Sequence, residues 1–151
     1  MIERIDHVNL VVGDLDAMIA FYRDVLGLRL TKQATIRGGW IDVVTGLEQV
    51  AAEVAFLEFP DGPGIELLRY QSPAGASPAG LGEPNTRGFR HIAFRVGDID
   101  RMAAAIRAAG VPLVSEVQRV PAAQVDYADV QKRLVYFRDP EGNLLELCEY
   151  R

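Results

Sequence analysis

The chain is poor in the residues that build disulfides and cysteine-based metal sites. Cys148 is its single cysteine, so an internal disulfide is impossible and a cysteine-rich zinc motif is excluded. Histidine is almost as scarce, since His7 and His91 are the only two. Any metal site in this chain must therefore combine these imidazoles with carboxylates.

Long apolar runs and basic stretches are also missing. No segment approaches the roughly 20 consecutive apolar residues that span a bilayer, and residues 1–6 lack the apolar core of a signal peptide. The net charge of −5 comes without a stripe of lysine and arginine, which disfavours nucleic-acid binding. These observations predict a soluble cytoplasmic protein with neither a membrane nor a nucleic-acid partner.

The two histidines open two similar segments that lie 84 residues apart. Residues 7–16 read HVNLVVGDLD, and residues 91–100 read HIAFRVGDID. Histidine, valine, glycine and two aspartates recur at one fixed offset, and Met18 matches Met102 further along. The chain is therefore predicted to be an internal duplication.

Hydrophobic periodicity and turn residues predict two modules, at 1–70 and 89–151, joined by a linker at 71–88 that is rich in proline, glycine and alanine. Module one is expected to contain a helix at 14–26, between an Asp14 cap and Gly27, strands at 2–12, 28–36, 53–59 and 65–70, and a short helix at 41–47. Module two is expected to contain a helix at 98–109 and strands at 89–96, 112–119, 133–138 and 143–149.

Neither module can cover both faces of its own small sheet. Pairing the modules solves this problem. The sequence therefore predicts one α+β domain at 1–151, in which two paired β-α-β-β-β modules form an open, barrel-like cleft.

The last strand of each module carries a glutamate inside an apolar run. Glu66 and Glu146 each follow a turn glycine, Gly62 or Gly142, by four residues. A carboxylate in such a strand costs several kcal/mol unless it is paired, hydrogen-bonded or bound to a metal. Each histidine or glutamate taken singly is explained by packing or solvation, but the duplicated pattern favours a site.

His7, Glu66, His91 and Glu146 are therefore predicted to be the ligands of one divalent metal ion. Two imidazoles and two carboxylates suit Zn, Ni, Co, Fe or Mn, and they leave coordination positions open for a chelating substrate. The pattern does not select one of these ions.

These segments resemble the vicinal oxygen chelate superfamily, which includes glyoxalase I, methylmalonyl-CoA epimerase, extradiol dioxygenases, and fosfomycin and bleomycin resistance proteins. The resemblance covers nearly the whole chain. It rests on the openings at His7 and His91, on FYRDVLGL at 21–28 and on DPEGNLLEL at 139–147. It implies the glyoxalase-type fold, a metal in the cleft, a small-molecule substrate that binds through adjacent oxygens, and a homodimer.

The resemblance favours a metal-dependent lyase or isomerase that transfers a proton next to a carbonyl, like glyoxalase I or methylmalonyl-CoA epimerase. In extradiol dioxygenases the position of Glu66 supplies no ligand, whereas all four positions are filled here. The favoured reaction uses a glutamate as general base and acid, for which Glu146 is the first choice and Glu66 the second. An Fe(II) or Mn(II) ring-cleaving dioxygenase and a drug-binding resistance protein remain as alternatives.

Two departures distinguish the chain from the named enzymes of this branch. Bacterial glyoxalase I has an arginine and an asparagine that serve glutathione, and this chain has Val11 and Tyr70 at those positions. Methylmalonyl-CoA epimerases commonly have glutamine at the position of Glu66.

Arg95 and Asn9 are the candidate substrate-binding residues. Each lies at even spacing from a histidine on the same strand, His91 or His7, so its side chain shares the face of that histidine. Arg95 is suited to a carboxylate or phosphate group of the substrate. Weaker candidates are Arg37, Trp40, Tyr127 and Tyr136.

Overall fold

Eight strands and three α-helices make up the fold of this computed structural model, which describes all 151 residues and divides into two units, residues 1–77 and 78–151. The first unit contains β1 (His7–Val11), α1 (Leu15–Ala20), β2 (Arg29–Arg37), α2 (Gly39–Thr45), β3 (Ala51–Glu58) and β4 (Gly64–Ser72). The second contains β5 (His91–Arg95), α3 (Ile99–Ala108), β6 (Gln118–Arg119), β7 (Lys132–Arg138) and β8 (Leu144–Tyr150).

Each unit contains one four-stranded mixed sheet. The strand order is β1-β4-β3-β2 in the first unit and β5-β8-β7-β6 in the second. The first strand of each unit runs parallel to the last one, and the remaining neighbours are antiparallel. The predicted repetition of the element order is thereby confirmed.

Aspartate caps begin the two longer helical segments as the sequence predicts. The Asp14 side chain accepts a hydrogen bond from the Ala17 amide at 3.0 Å, and the Asp98 side chain accepts one from the Arg101 amide at 3.0 Å. These bonds satisfy amides that have no partner within the helix.

The first of these segments does not stay α-helical to its end. Residues Phe21–Val25 form a π-helical turn, and the Leu26 amide donates to the Phe21 carbonyl, five residues back, at 3.2 Å. Gly27 then ends the segment with φ of 81°, a left-handed conformation that glycine adopts without strain.

The helices cover one face of each sheet. In the first unit α1 contacts β3 and β4, whose alternate residues Leu57, Ile65 and Leu67 are almost fully buried. In the second unit α3 contacts β8, where Leu145 and Leu147 are buried in the same way. Because successive side chains of a strand point to opposite faces, the glutamates between these apolar residues point away from the helices.

A buried carboxylate ties α3 to its sheet. Glu149, which is 1% exposed, accepts a hydrogen bond from the Ile99 amide at the start of α3 at 3.1 Å. It also forms ion pairs with Arg133 at 3.3 Å and Arg151 at 2.9 Å. The negative charge therefore has a helix N-terminus and two guanidinium groups as partners, which is how a charge can be buried at tolerable cost.

Two predicted strands are wrong in their extent. The strand at 112–119 is reduced to the two residues of β6 and one isolated bridge between Leu113 and Phe137. Pro112 has no amide proton, and the side chains of Ser115 and Gln118 donate to the Glu116 carbonyl in competition with a strand ladder. The strand predicted at 2–12 begins only at His7, because its partner β4 begins at Gly64, which pairs with His7.

The segment predicted as a linker is held by arginines. Its first two residues, 71–72, complete β4. Further along, the Arg90 guanidinium donates to the carbonyls of Gly80, Leu81 and Glu83, each at 3.3 Å. Arg138 donates to the Gly82 carbonyl at 2.9 and 3.2 Å. Residues 80–83 therefore have fixed partners within the second unit.

None of the helices combines the length and the apolar composition that crossing a membrane requires.

Gly82 is packed too tightly to accept a side chain. A Cβ atom there would lie 2.5 Å from Arg138 Nε and 2.8 Å from the Gly142 carbonyl oxygen, which belongs to the backbone and cannot rotate away. We expect Gly82→Ala to lower the free energy of unfolding by about 1 to 3 kcal/mol, as overpacking does elsewhere. Urea unfolding measures this loss. Gly97→Ala is the control, since a Cβ atom there meets nothing within 4 Å, and an equal loss in both variants would contradict the packing argument.

Candidate metal centre

The parallel strand pair of each unit places one histidine beside one glutamate. His7 of β1 pairs with Gly64 of β4, two residues before Glu66. In the second unit His91 of β5 pairs with Leu144 of β8, again two residues before Glu146. The register of the two units is therefore the same, and each histidine shares a sheet face with its glutamate.

The donor atoms of both pairs lie at distances that suit metal ligands. His7 Nε2 is 3.8 Å from Glu66 Oε1, and His91 Nε2 is 3.4 Å from Glu146 Oε2. Two ligands at about 2.1 Å from one ion lie about 3.0 to 3.4 Å apart at octahedral to tetrahedral angles. The His91–Glu146 distance of 3.4 Å lies within this range, and the His7–Glu66 distance of 3.8 Å is slightly above it.

Asp6 orients the histidine of the first unit. Its Oδ2 lies 2.9 Å from His7 Nδ1. Because a carboxylate only accepts hydrogen bonds, this contact favours the tautomer in which Nδ1 carries the proton, and Nε2 is then the nitrogen that can bind a metal. The hydrogen bond to His7 lowers the pKa of the Asp6 carboxyl, and desolvation opposes this effect.

Glu66 is held by a neutral partner. The Asn9 side-chain amide donates to Glu66 Oε1 at 2.7 Å, and the Glu66 side chain is 18% exposed. Asn9 pairs with Glu66 in the sheet register, so the predicted substrate-binding residue is in fact in contact with the predicted ligand.

Glu146 is more deeply buried and faces a cation. Its side chain is 5% exposed, and its Oε1 atom is inaccessible and accepts no hydrogen bond of regular geometry. The Lys132 ammonium nevertheless lies 3.1 Å from that oxygen, so the contact is an ion pair with an unfavourable angle. The two oxygens of Glu146 therefore have different neighbours, Lys132 at Oε1 and His91 at Oε2.

The negative charge of Glu146 affects the groups around it. Burial alone would lower the pKa of Lys132, but its close ion pair with Glu146 outweighs this effect and raises the pKa above its usual range. Burial raises the pKa of the Tyr136 phenol, and the negative charge of Glu146 adds to the shift. Burial and the same charge raise the pKa of the Cys148 thiol. These groups keep their protons at neutral pH.

Aromatic rings surround the cations on this face. Lys132 Nζ lies 5.8 Å from the ring centre of Tyr127 and 5.7 Å from that of Tyr150. Arg95 stacks over Tyr150 at 5.2 Å and is exposed, with no carboxylate among its contacts. Such cation–π contacts attract a cation to the face of an aromatic ring.

Of the four weaker candidates for substrate binding, two lie near Glu146 and two do not. Tyr127 contacts Lys132, and Tyr136 stacks against His91 with ring centres 5.3 Å apart, so both belong to the surroundings of Glu146. Arg37 and Trp40 lie instead at the junction of β2 and α2, where both are exposed.

Sequence reasoning missed three residues of the site. Asp6 carried a signal, since it directly precedes His7. Lys132 and Tyr150 pair with each other on β7 and β8, and only the strand register brings them to Glu146.

The donor pair of each unit suits a divalent metal ion chemically but does not complete a metal site by itself. The described residues contain no group of three or more histidine, cysteine, aspartate or glutamate side chains that could hold an ion. Each unit supplies one imidazole and one carboxylate, which is half of a four-ligand set for a borderline divalent ion.

The different partners of the two glutamates predict different stability losses in chelator-treated protein. Glu146→Gln leaves Lys132 buried without its counter-charge, so we expect the free energy of unfolding to fall by about 3 kcal/mol. Glu66→Gln keeps an oxygen that accepts from Asn9, and we expect a loss below about 1 kcal/mol. Chemical denaturation of both variants tests this difference, and equal losses would contradict it.

Comparison with known proteins identifies relatives of the whole chain. A sequence model of the Glyoxalase/Bleomycin resistance protein/Dioxygenase superfamily matches residues 4–147. Lactoylglutathione lyase of Haemophilus influenzae is 30% identical over 143 residues, 95% of this chain and 90% of that protein. The 2-epi-5-epi-valiolone epimerase of an Actinomyces species is 30% identical over 147 residues, 95% of this chain and 77% of that protein.

Two further matches come from the genus Bacillus. The uncharacterized protein YwbC of Bacillus subtilis is 38% identical over 99 residues, a match that spans 66% of this chain but only 65% of YwbC. A glyoxalase family protein of Bacillus cereus has a solved structure that is 35% identical, with a TM-score of 0.84 over 99% of this chain and 95% of that one. The structural match confirms the predicted glyoxalase-type fold. With its family match over nearly the full length, the chain belongs to the Glyoxalase/Bleomycin resistance protein/Dioxygenase superfamily.

Proposed function

We propose that this protein is a divalent-metal-dependent lyase or isomerase that transfers a proton on a carbon next to a carbonyl group. In this proposal His7, Glu66, His91 and Glu146 bind one ion. The observation that carries it is the repeated register that places an imidazole and a carboxylate 3.8 and 3.4 Å apart in the two units. Relatives that are named a lyase and an epimerase support the reaction class.

The reaction needs two kinds of help from the protein. A bound divalent ion supplies Lewis-acid stabilisation of negative charge on substrate oxygens. A carboxylate must take the proton from carbon and return it. We assign that task first to Glu146 and second to Glu66, which stand at equivalent positions of the repeat; an epimerase would use one on each side of the substrate.

An anionic substrate group is expected beside Arg95. This guanidinium lies on the sheet face of His91 and Glu146 and has no carboxylate partner of its own. Its stacking on Tyr150 leaves the N–H groups free to bind a carboxylate or phosphate.

If the substrate is a thioester or a thiol adduct, glutathione is a poor candidate for its thiol component. Tyr70, at a position that serves glutathione in bacterial glyoxalase I, packs against an apolar cluster of Ile41, Val50 and Ala52. An acid, a CoA thioester or an adduct of another thiol fits the proposal better.

Metal analysis tests the ligand assignment. Protein purified without chelators is expected to contain one equivalent of divalent metal per chain, and His7→Ala and Glu146→Ala are each expected to lose most of it. Asp42→Ala, which removes a carboxylate outside both pairs, is the control. Unchanged metal in both ligand variants would contradict the site. Analytical ultracentrifugation of the same samples tests the expected homodimer.

Deuterium incorporation tests the reaction class. In heavy water the metal-loaded protein is expected to exchange the proton next to the carbonyl of a suitable substrate, tried among methylmalonyl-CoA and hemithioacetals of 2-oxoaldehydes with several thiols. NMR detects the exchange, and chelation should abolish it. Oxygen uptake with catechols by anaerobically loaded Fe(II) protein, without any exchange, would favour the dioxygenase instead. Stoichiometric binding of a drug by metal-free protein would favour the resistance protein.

Arg95→Gln is expected to weaken binding of the anionic substrate and to raise KM by about tenfold or more, while kcat changes less, because the contact is with a group remote from the reacting carbon. Steady-state kinetics measure both constants. Arg101→Gln removes an exposed arginine from α3 and should leave both unchanged. A fall in kcat alone would contradict the binding role of Arg95.

A further inference from the structure

We propose that Lys132 engages one oxygen of Glu146, so that this glutamate offers only its other oxygen to a metal ion. Lys132 is then a positioning residue, and the inference rests on the metal-binding function proposed above. Its consequence is that Glu146 occupies one coordination position instead of two, which leaves room for the adjacent oxygens of a substrate.

The geometry separates the two oxygens of Glu146. Oε1 lies 3.1 Å from the Lys132 ammonium, and Oε2 lies 3.4 Å from His91 Nε2. A carboxylate ligand can bind a cation through one oxygen or through both. With Lys132 at Oε1, only Oε2 is presented on the side of the imidazole.

Lys132 is fixed well enough to impose this choice. Its side chain is 14% exposed, and its ammonium lies within 6 Å of the ring centres of Tyr127 and Tyr150, at 5.8 and 5.7 Å. Tyr136 also faces the carboxylate, since it pairs with Glu146 in the sheet register. A lysine on an exposed surface loses such a contact to water, whereas a buried one surrounded by rings does not.

The first unit has no equivalent ion pair between a lysine and its glutamate. There Ala52 pairs with Tyr70, where the second unit has Lys132 paired with Tyr150. Asn9 donates to Glu66 Oε1, which is also the oxygen nearest His7, so the two partners meet at one oxygen. The duplication has therefore diverged around its carboxylates, and only Glu146 has its oxygens assigned to separate partners.

A purely structural role for Lys132 would have a different consequence. If it only neutralised a buried charge, its removal would lower the free energy of unfolding and leave the metal's surroundings unchanged. Coordination of a spectroscopically visible ion separates the two roles, because the absorption of Co(II) depends on its number of ligands.

The experiment compares Co(II)-loaded wild-type protein with Lys132→Met, Lys132→Arg and Lys32→Met. The chain has only these two lysines. Lys32 also stacks on a ring, that of Phe56 at 5.7 Å, but has no carboxylate contact, which makes it a matched control. Visible absorption reports the coordination of Co(II), titration with oxalate reports the positions open to a two-oxygen ligand, and thermal unfolding reports stability.

In Lys132→Met we expect both Glu146 oxygens to reach the ion. The Co(II) absorption should then weaken as the coordination number rises, and the Kd of oxalate should increase about tenfold or more. Lys132→Arg, which keeps the cation, and Lys32→Met should resemble the wild type. If the methionine variant does not fold, Lys132→Leu, which also lacks a hydrogen-bond donor, replaces it with the same two expectations.

A folded Lys132→Met protein with the wild-type spectrum and oxalate affinity would overturn the inference, and so would complete loss of Co(II) binding in that variant alone. Both results leave the proposed function standing. Failure of the wild type itself to bind Co(II) would instead overturn the proposed function, and the inference with it.

Discussion

The parallel pairing of the first and last strands in each unit is the constraint on which the site depends. An antiparallel neighbour can follow a short turn, but a parallel one must be reached by a crossover. The chain uses the helix and the middle strands of each unit as that crossover, and the last strand returns beside the first. Only then do His7 and Glu66, or His91 and Glu146, share one face two residues apart in register.

The last strand of the second unit shows how this arrangement accommodates buried charge. Glu146 and Glu149 are three residues apart and therefore point to opposite faces. Glu149 has the start of α3, Arg133 and Arg151 as partners, so its charge is fully accounted for by the fold. Glu146 has the Lys132 ammonium at Oε1 and the His91 imidazole at Oε2, and Tyr136 lies opposite it in the sheet register. Glu149 is therefore a structural charge, whereas for Glu146 we propose a role in binding a metal ion.

The sequence predicted the features that depend on local signals. Asp14 and Asp98 marked the helix starts, and Gly62 and Gly142 marked the turns that precede the two glutamates. The features it missed depend on distant residues. Lys132 reaches Glu146 only because β7 pairs with β8 in one particular register, and no local pattern encodes that register. The strand predicted at 112–119 is mostly absent although its local pattern is that of a strand. There the side chains of Ser115 and Gln118 donate to the Glu116 carbonyl, which competes with pairing to a neighbouring strand.

The central proposal is that the two His/Glu pairs bind one ion together. X-ray absorption spectroscopy of protein loaded with a single equivalent of Zn(II) tests it most directly, because the outer-shell scattering of imidazole rings counts the histidines bound to each ion. The account predicts two imidazoles per ion and saturation at one ion per chain. One imidazole per ion, with saturation at two ions per chain, would contradict it.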